Sequence, residues 1–123
     1  MPGATKPTLV GWTFGGYWTQ IGGKGTQYYN ASMASVHNND LVNGTTLYAY
    51  WTSTINLDQQ GGMNGTSSVS GVYNLPMPTA TAPVRNGYTF GGYFTGQGGS
   101  GTQYYTNEMV SAHTYDLGSG TTL

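Results

Sequence analysis

The chain contains no cysteine and almost no charge. Without thiols there is neither a disulfide framework nor a thiolate metal site, although the absence of cysteine does not identify a compartment. Its basic residues are Lys6, Lys24 and Arg85 alone, too few to build the phosphate-neutralising surface that nucleic-acid binding requires. The four acidic residues are scattered, which argues against an oxygen-rich calcium site. No apolar run approaches the length of a membrane span, and the opening MPGATK has no apolar signal core, so no membrane insertion is expected. If the chain is exported, its targeting signal lies outside this sequence. Aliphatic residues are scarce too: Ile, Leu, Val and Phe together number 19 of 123. That level combined with high net charge would suggest disorder, but the net charge is only −1.

Aromatic side chains fill the gap. Eleven Tyr, three Trp and three Phe can each bury a large area, and 21 Gly among many Thr, Ser and Asn favour turns and strands over helices. A chain of 123 residues holds one ordinary domain or two small ones. An internal repeat decides the organisation: Met1–Leu47 aligns on Met77–Leu123 without a gap and with 28 identities. GWTFGGYWT matches GYTFGGYFT, GGKGTQYY matches GGSGTQYY, and the ends DLVNGTTL and DLGSGTTL agree. Residues 48 to 76 occur once. The reading is a mostly β chain of two small modules joined by Gly/Pro-rich connectors. The first, residues 1 to 53, lacks an N-terminal strand, and the second, 54 to 123, lacks a C-terminal one.

The junction TTLYAYWTSTINLD carries the clearest pattern. Leu47, Ala49, Trp51, Ser53, Ile55 and Leu57 share one parity and Tyr48, Tyr50, Thr52, Thr54 and Asn56 the other, the period of a strand with one buried face. Upstream, Trp12, Phe14 and Trp18 form an aromatic face in a strand interrupted by Gly15 and Gly16, a pair that signals a bulge or a close backbone approach. A glycine turn over Ile21 to Gly25 and a return through Thr26 to Asn30 complete a hairpin. Residues 31 to 44 read as a looped crossover in preference to one short helical turn, and Ser67 to Leu75 as a further strand. The expected core is Trp12, Phe14, Trp18, Leu47 and Trp51, with Phe90 and Phe94 in the second copy.

The succession INLDQQGG, a Pro-containing connector, RNGYTFGGYFT, GGSGTQYY and the closing TTLYAYW of the first copy resembles the Listeria–Bacteroides repeat, a family that includes the B repeat of internalin-type surface proteins. The resemblance covers essentially the whole chain. It implies a small β-grasp-like module, used in tandem on secreted or cell-surface bacterial proteins as a spacer, adhesive or self-associating element, without catalytic residues or cofactor. The chain departs from familiar members in its low charge and in lacking the final strand of copy two.

Ser35, His37 and Asp40 recur as Ser111, His113 and Asp116. A hydrolase would need them in hydrogen-bonded sequence with an oxyanion hole. They lie close together in the chain without an elbow motif, so the bland role, satisfying turn backbone groups, is preferred. The two histidines fall in different copies, and neither has a second ligand at a recognised spacing, so they do not make a metal site. A candidate interaction surface comprises Tyr17, Tyr28, Tyr48, Tyr50, Tyr93 and Tyr104. It would serve glycans or host-surface ligands if these rings are exposed, and packing between neighbouring repeats or identical subunits if they are not. Leu47, Ile55, Leu57 and Leu123 mark candidate strand edges. If the TTLYAYW strand closes each module, Leu123 carries an unpaired edge and copy one lacks the strand that Ile55 to Gly62 supplies to copy two. Such complementary defects would propagate end to end into a filament, the competing explanation being that the chain is covalently continuous with more repeats in a longer parent.

Overall fold

A computed structural model describes all of residues 1–123, and it is all-β with no helix. Six strands form two antiparallel sheets: β1 (Thr13–Gln20), β2 (Lys24–Tyr29), β3 (Tyr48–Asn56), β4 (Ser68–Val72), β5 (Tyr93–Gly96) and β6 (Ser100–Tyr105). Two compact units divide the chain at Thr52/Ser53. β3 contributes Tyr48–Thr52 to the first and Ser53–Asn56 to the second.

In the first unit β1 lies between β2 and β3. Its register with β3 sets Thr13 against Thr52, Phe14 against Trp51, Tyr17 against Ala49 and Trp18 against Tyr48, with a slip between Phe14 and Tyr17. The paired glycines cause that slip. Gly16 takes φ +102°, and a Cβ there would stand 2.2 Å from the Tyr29 carbonyl oxygen, so only glycine fits the bulge. The core is Phe14, Tyr28 and Tyr29. Phe14 is 4% exposed and its ring centroid lies 5.3 Å from those of Tyr17 and Trp51. Trp12, Trp18, Leu47 and Trp51, expected in the same core, are only half-buried.

The second unit is better filled. Ile55, Leu57, Val69, Met77, Tyr93, Tyr104, Tyr105, Tyr115 and Leu123 are buried. Ser53, Ile55 and Leu57 point inward and Thr54, Asn56 and Asp58 outward, the alternation expected of the strand. Tyr115 is fully buried; its ring packs where Gly71 of β4 lacks a side chain, since a Cβ there would lie 2.2 Å from it. β5 and β6 repeat the β1–β2 hairpin residue for residue, Tyr93 facing Tyr105, Phe94 facing Gln103 and Gly96 facing Ser100.

One expected edge is corrected here. Leu123 is not unpaired: its N–H donates to the Asn56 carbonyl at 3.0 Å, its carbonyl accepts from the Asp58 N–H at 2.8 Å, and Thr122 bridges Asn56 in parallel. Ile55, Leu57 and Leu123 are buried side chains of this pairing rather than an open edge. β2, β4, β5 and β6 are the edge strands, β5 and β6 pairing only with each other.

Candidate functional site

The Ser, His and Asp that recur in both copies lie on the loop following each hairpin, and they serve that loop. Ser35 Oγ donates to the His37 carbonyl at 3.1 Å, and His37 Nδ1 sits 2.8 Å from the Asn38 carbonyl oxygen. Asp40 Oδ1 accepts from Tyr28 Oη at 2.5 Å and is 3.8 Å from His37 Nδ1. In the second copy Ser111 donates to the His113 carbonyl at 3.0 Å, His113 Nδ1 lies 2.7 Å from the Thr114 carbonyl oxygen, and Tyr104 donates to Asp116 at 2.6 Å. In neither copy does serine approach the imidazole as a nucleophile would approach its base.

Electrostatics follow the same design. The hydrogen bond from Tyr28 holds the Asp40 carboxyl below its ordinary value, against the opposing effect of desolvation, and the same bond raises the Tyr28 phenol. Burial, then the bond to Asp116 and its charge, push Tyr104 up to about 12. Tyr105 also reaches about 12, mainly through burial. Each hairpin ends in a second clasp, Tyr29 Oη donating to the Pro2 carbonyl at 2.5 Å and Tyr105 Oη to the Pro78 carbonyl at 2.6 Å.

These bonds correct the expected aromatic surface. Tyr28, Tyr93 and Tyr104 are buried and offer no platform. The bulge before Tyr17 overrides simple alternation there, and Tyr28 and Tyr104 are covered by the histidines of their own loops, ring centroids 4.4 and 4.5 Å apart. Tyr17 and Tyr50 are half-buried, and Tyr48, at 39%, is the one exposed member of the set.

A groove of about 1140 Å³ lies wholly within the second unit. Tyr88, Phe90, Tyr93 and Phe94 give it an aromatic wall, and Gly91 and Gly99 line it as well. Tyr88 is 66% exposed, with the Arg85 guanidinium 3.9 Å over its ring; Arg85 Nη1 also donates to the Gln60 carbonyl at 3.0 Å. Tyr93 Oη is buried without a hydrogen-bond partner, and burial together with the nearby Asp58 charge raises its pKa. Phe90 and Phe94, assigned to the core from sequence, are half-buried on the groove. The signal for this site was present in the second copy, which repeats the aromatic face of β1. No group of three or more His, Asp or Glu residues is positioned to hold a metal ion. No helix is long and apolar enough to cross a membrane. Comparison of the chain with protein-family models, curated proteins and solved structures finds no match.

Proposed function

We propose that this chain is a structural or adhesive repeat segment of a bacterial secreted or cell-surface protein. It is built from β-grasp-like modules in tandem, and its partners are neighbouring repeats or identical subunits. One observation carries the reading: the polar side chains common to both copies are spent on tying down their own loops. The Tyr–Asp bond, the Tyr–Pro clasp, the Ser–carbonyl bond and the His–carbonyl contact each recur at the matching positions of the second copy with nearly the same length. Chemistry preserved for turnover would aim such groups into a cleft; here they tie loops down. The resemblance to the Listeria–Bacteroides repeat supports the same reading and its extracellular setting.

A spacer must resist extension. Held between two handles in an optical trap, the chain should lengthen in two discrete steps, one for Met1–Thr52 and one for Ser53–Leu123. At about 3.5 Å per residue the released contours approach roughly 180 and 250 Å. Smooth extension without steps would remove the mechanical role.

A further inference from the structure

Three Asn-Gly pairs occur in the chain, Asn43-Gly44, Asn64-Gly65 and Asn86-Gly87, and the asparagine of each is exposed. They differ at the atom that matters for asparagine chemistry, the backbone nitrogen of the glycine. Val42 to Thr45 and Arg85 to Tyr88 are β-turns, the Thr45 N–H donating to the Val42 carbonyl at 3.2 Å and the Tyr88 N–H to the Arg85 carbonyl at 3.0 Å. At the third position Gly44 and Gly87 take φ of +87° and +83°, and no atom lies within 4 Å of where a Cβ would stand on either. Neither glycine N–H has a hydrogen-bond partner, and neither asparagine amide has one. Asn64-Gly65 is held instead. The Gln59 amide brackets Gly65, its Oε1 accepting from the Gly65 N–H at 3.1 Å and its Nε2 donating to the Gly65 carbonyl at 3.3 Å. A Cβ on Gly65 would stand 2.8 Å from Pro83 Cα, so this backbone is packed as well as bonded.

The two open turns belong to the repeat, but their asparagines do not. Arg85 to Tyr88 matches Leu9 to Trp12, where the Trp12 N–H donates to the Leu9 carbonyl at 3.0 Å, Gly11 takes φ +85° and Val10 stands in place of Asn86. Val10 is 99% exposed although β3 lies beside β1 in that unit, so the turn stays clear of the sheet even where the sheet is filled. Val42 to Thr45 matches Gly118 to Thr121, closed by the same bond at 3.2 Å, with Ser119 in place of Asn43.

We propose that Asn43 and Asn86 are sites of spontaneous deamidation through a succinimide, and that Gln59 shields Asn64 from the same reaction. The glycine nitrogen gives its proton to solvent and attacks the asparagine Cγ; the new N–Cγ bond closes a five-membered ring as the Cγ–NH2 bond breaks and ammonia leaves. Water then opens either ring carbonyl, giving aspartate or isoaspartate. Glycine leaves the attack unobstructed because it has no side chain, and ring closure needs a rotation of the asparagine backbone that an open turn permits. At Asn64 the attack must first break the Gln59 bond and lift the backbone from Pro83. Each conversion adds a negative charge to a chain whose net charge is −1. Isoaspartate also lengthens the backbone by a methylene, at Asn43 between the loop clasped by Asp40 and the start of β3.

The test ages the full chain at mildly alkaline pH and follows each asparagine by peptide mapping and mass spectrometry, with isoaspartate identified by enzymatic carboxyl methylation. Asn43 and Asn86 should convert faster than Asn64 by about tenfold or more, the factor that one broken hydrogen bond contributes to a rate. In urea the three rates should converge, since the shared Asn-Gly pair alone then decides them. Gln59→Ala should speed Asn64 by about tenfold and leave Asn43 and Asn86 unchanged. Asn43→Ser, which installs the residue of the second copy, should silence that turn and preserve exchange protection in β3. Equal rates in the folded chain, the reverse order, or a Gln59→Ala chain whose Asn64 stays slow would overturn the proposal. The comparison of folded with urea-treated chain needs no variant, so it decides the matter even if Gln59→Ala does not fold.

Discussion

Tyr115 offers the sharpest test of how the second unit is held together. Its ring is fully buried against Gly71, and its hydroxyl donates to the Ser53 carbonyl at 2.9 Å while lying 2.8 Å from Ser53 Oγ. Ser53 Oγ has a single proton and a second acceptor, the Leu117 carbonyl at 2.5 Å, so it keeps a partner when the phenol is lost. Tyr115→Phe should therefore remove one net hydrogen bond, about 1 kcal/mol. Tyr115→Ala also empties the ring's volume between β3 and β4 and should cost about 3 to 5 kcal/mol, as for other buried aromatics. All three tryptophans lie in the first unit, so their fluorescence is the wrong probe. Native-state hydrogen exchange at Ile55 and Leu57, both buried beside Ser53, reads the second unit directly. The reasoning fails if the Phe variant loses as much protection as the Ala variant, or if neither changes those amides.

Other outcomes follow from the same geometry. Phe14→Ala should cost about 3 to 5 kcal/mol in urea denaturation followed by tryptophan fluorescence, a large share of what a small domain has; an unchanged midpoint would mean that Phe14 is not the centre of its core. Gly16→Ala should destabilise by more than about 1 kcal/mol, because its φ is positive and its methyl meets the Tyr29 carbonyl oxygen; a neutral result would deny the bulge. Tyr104 and Tyr105 should ionise near 12 in an ultraviolet titration of the folded chain. Since folding raises these pKa values above 10.0, their contribution is complete below about pH 10 and is lost as the pH rises towards about 12. Flat stability across that alkaline window would contradict their burial.

The strand pattern was legible wherever the chain is regular. Residues 53 to 58 alternate as read, and the glycine pair at 15 and 16 marked the bulge. Tyr93 sits inside although alternation puts it out, following Gly92, whose φ of +112° breaks the regular strand just before it. Tyr28 and Tyr29 are both buried although neighbouring residues of a strand face opposite sides. Loop residues His37 and Asp40 cover the face that would otherwise meet water, a tertiary contact that periodicity does not encode. Tyr115 was missed for a related reason: its counterpart is Asn39, so the repeat offered no precedent for a core residue there.

The tyrosine clasps bear on how such a chain tolerates recombination. Tyr29 and Tyr105 each reach back to a proline carbonyl at one fixed separation, and Tyr28 and Tyr104 each reach forward to an aspartate at another. A crossover between the aligned stretches, at any position, removes or adds one whole repeat period and leaves both separations intact. Joining Met1–Gly25 to Thr102–Leu123, for example, sets Tyr105 as far from Pro2 as it now stands from Pro78. Gene-level slippage between copies therefore changes the number of clasped loops without breaking one.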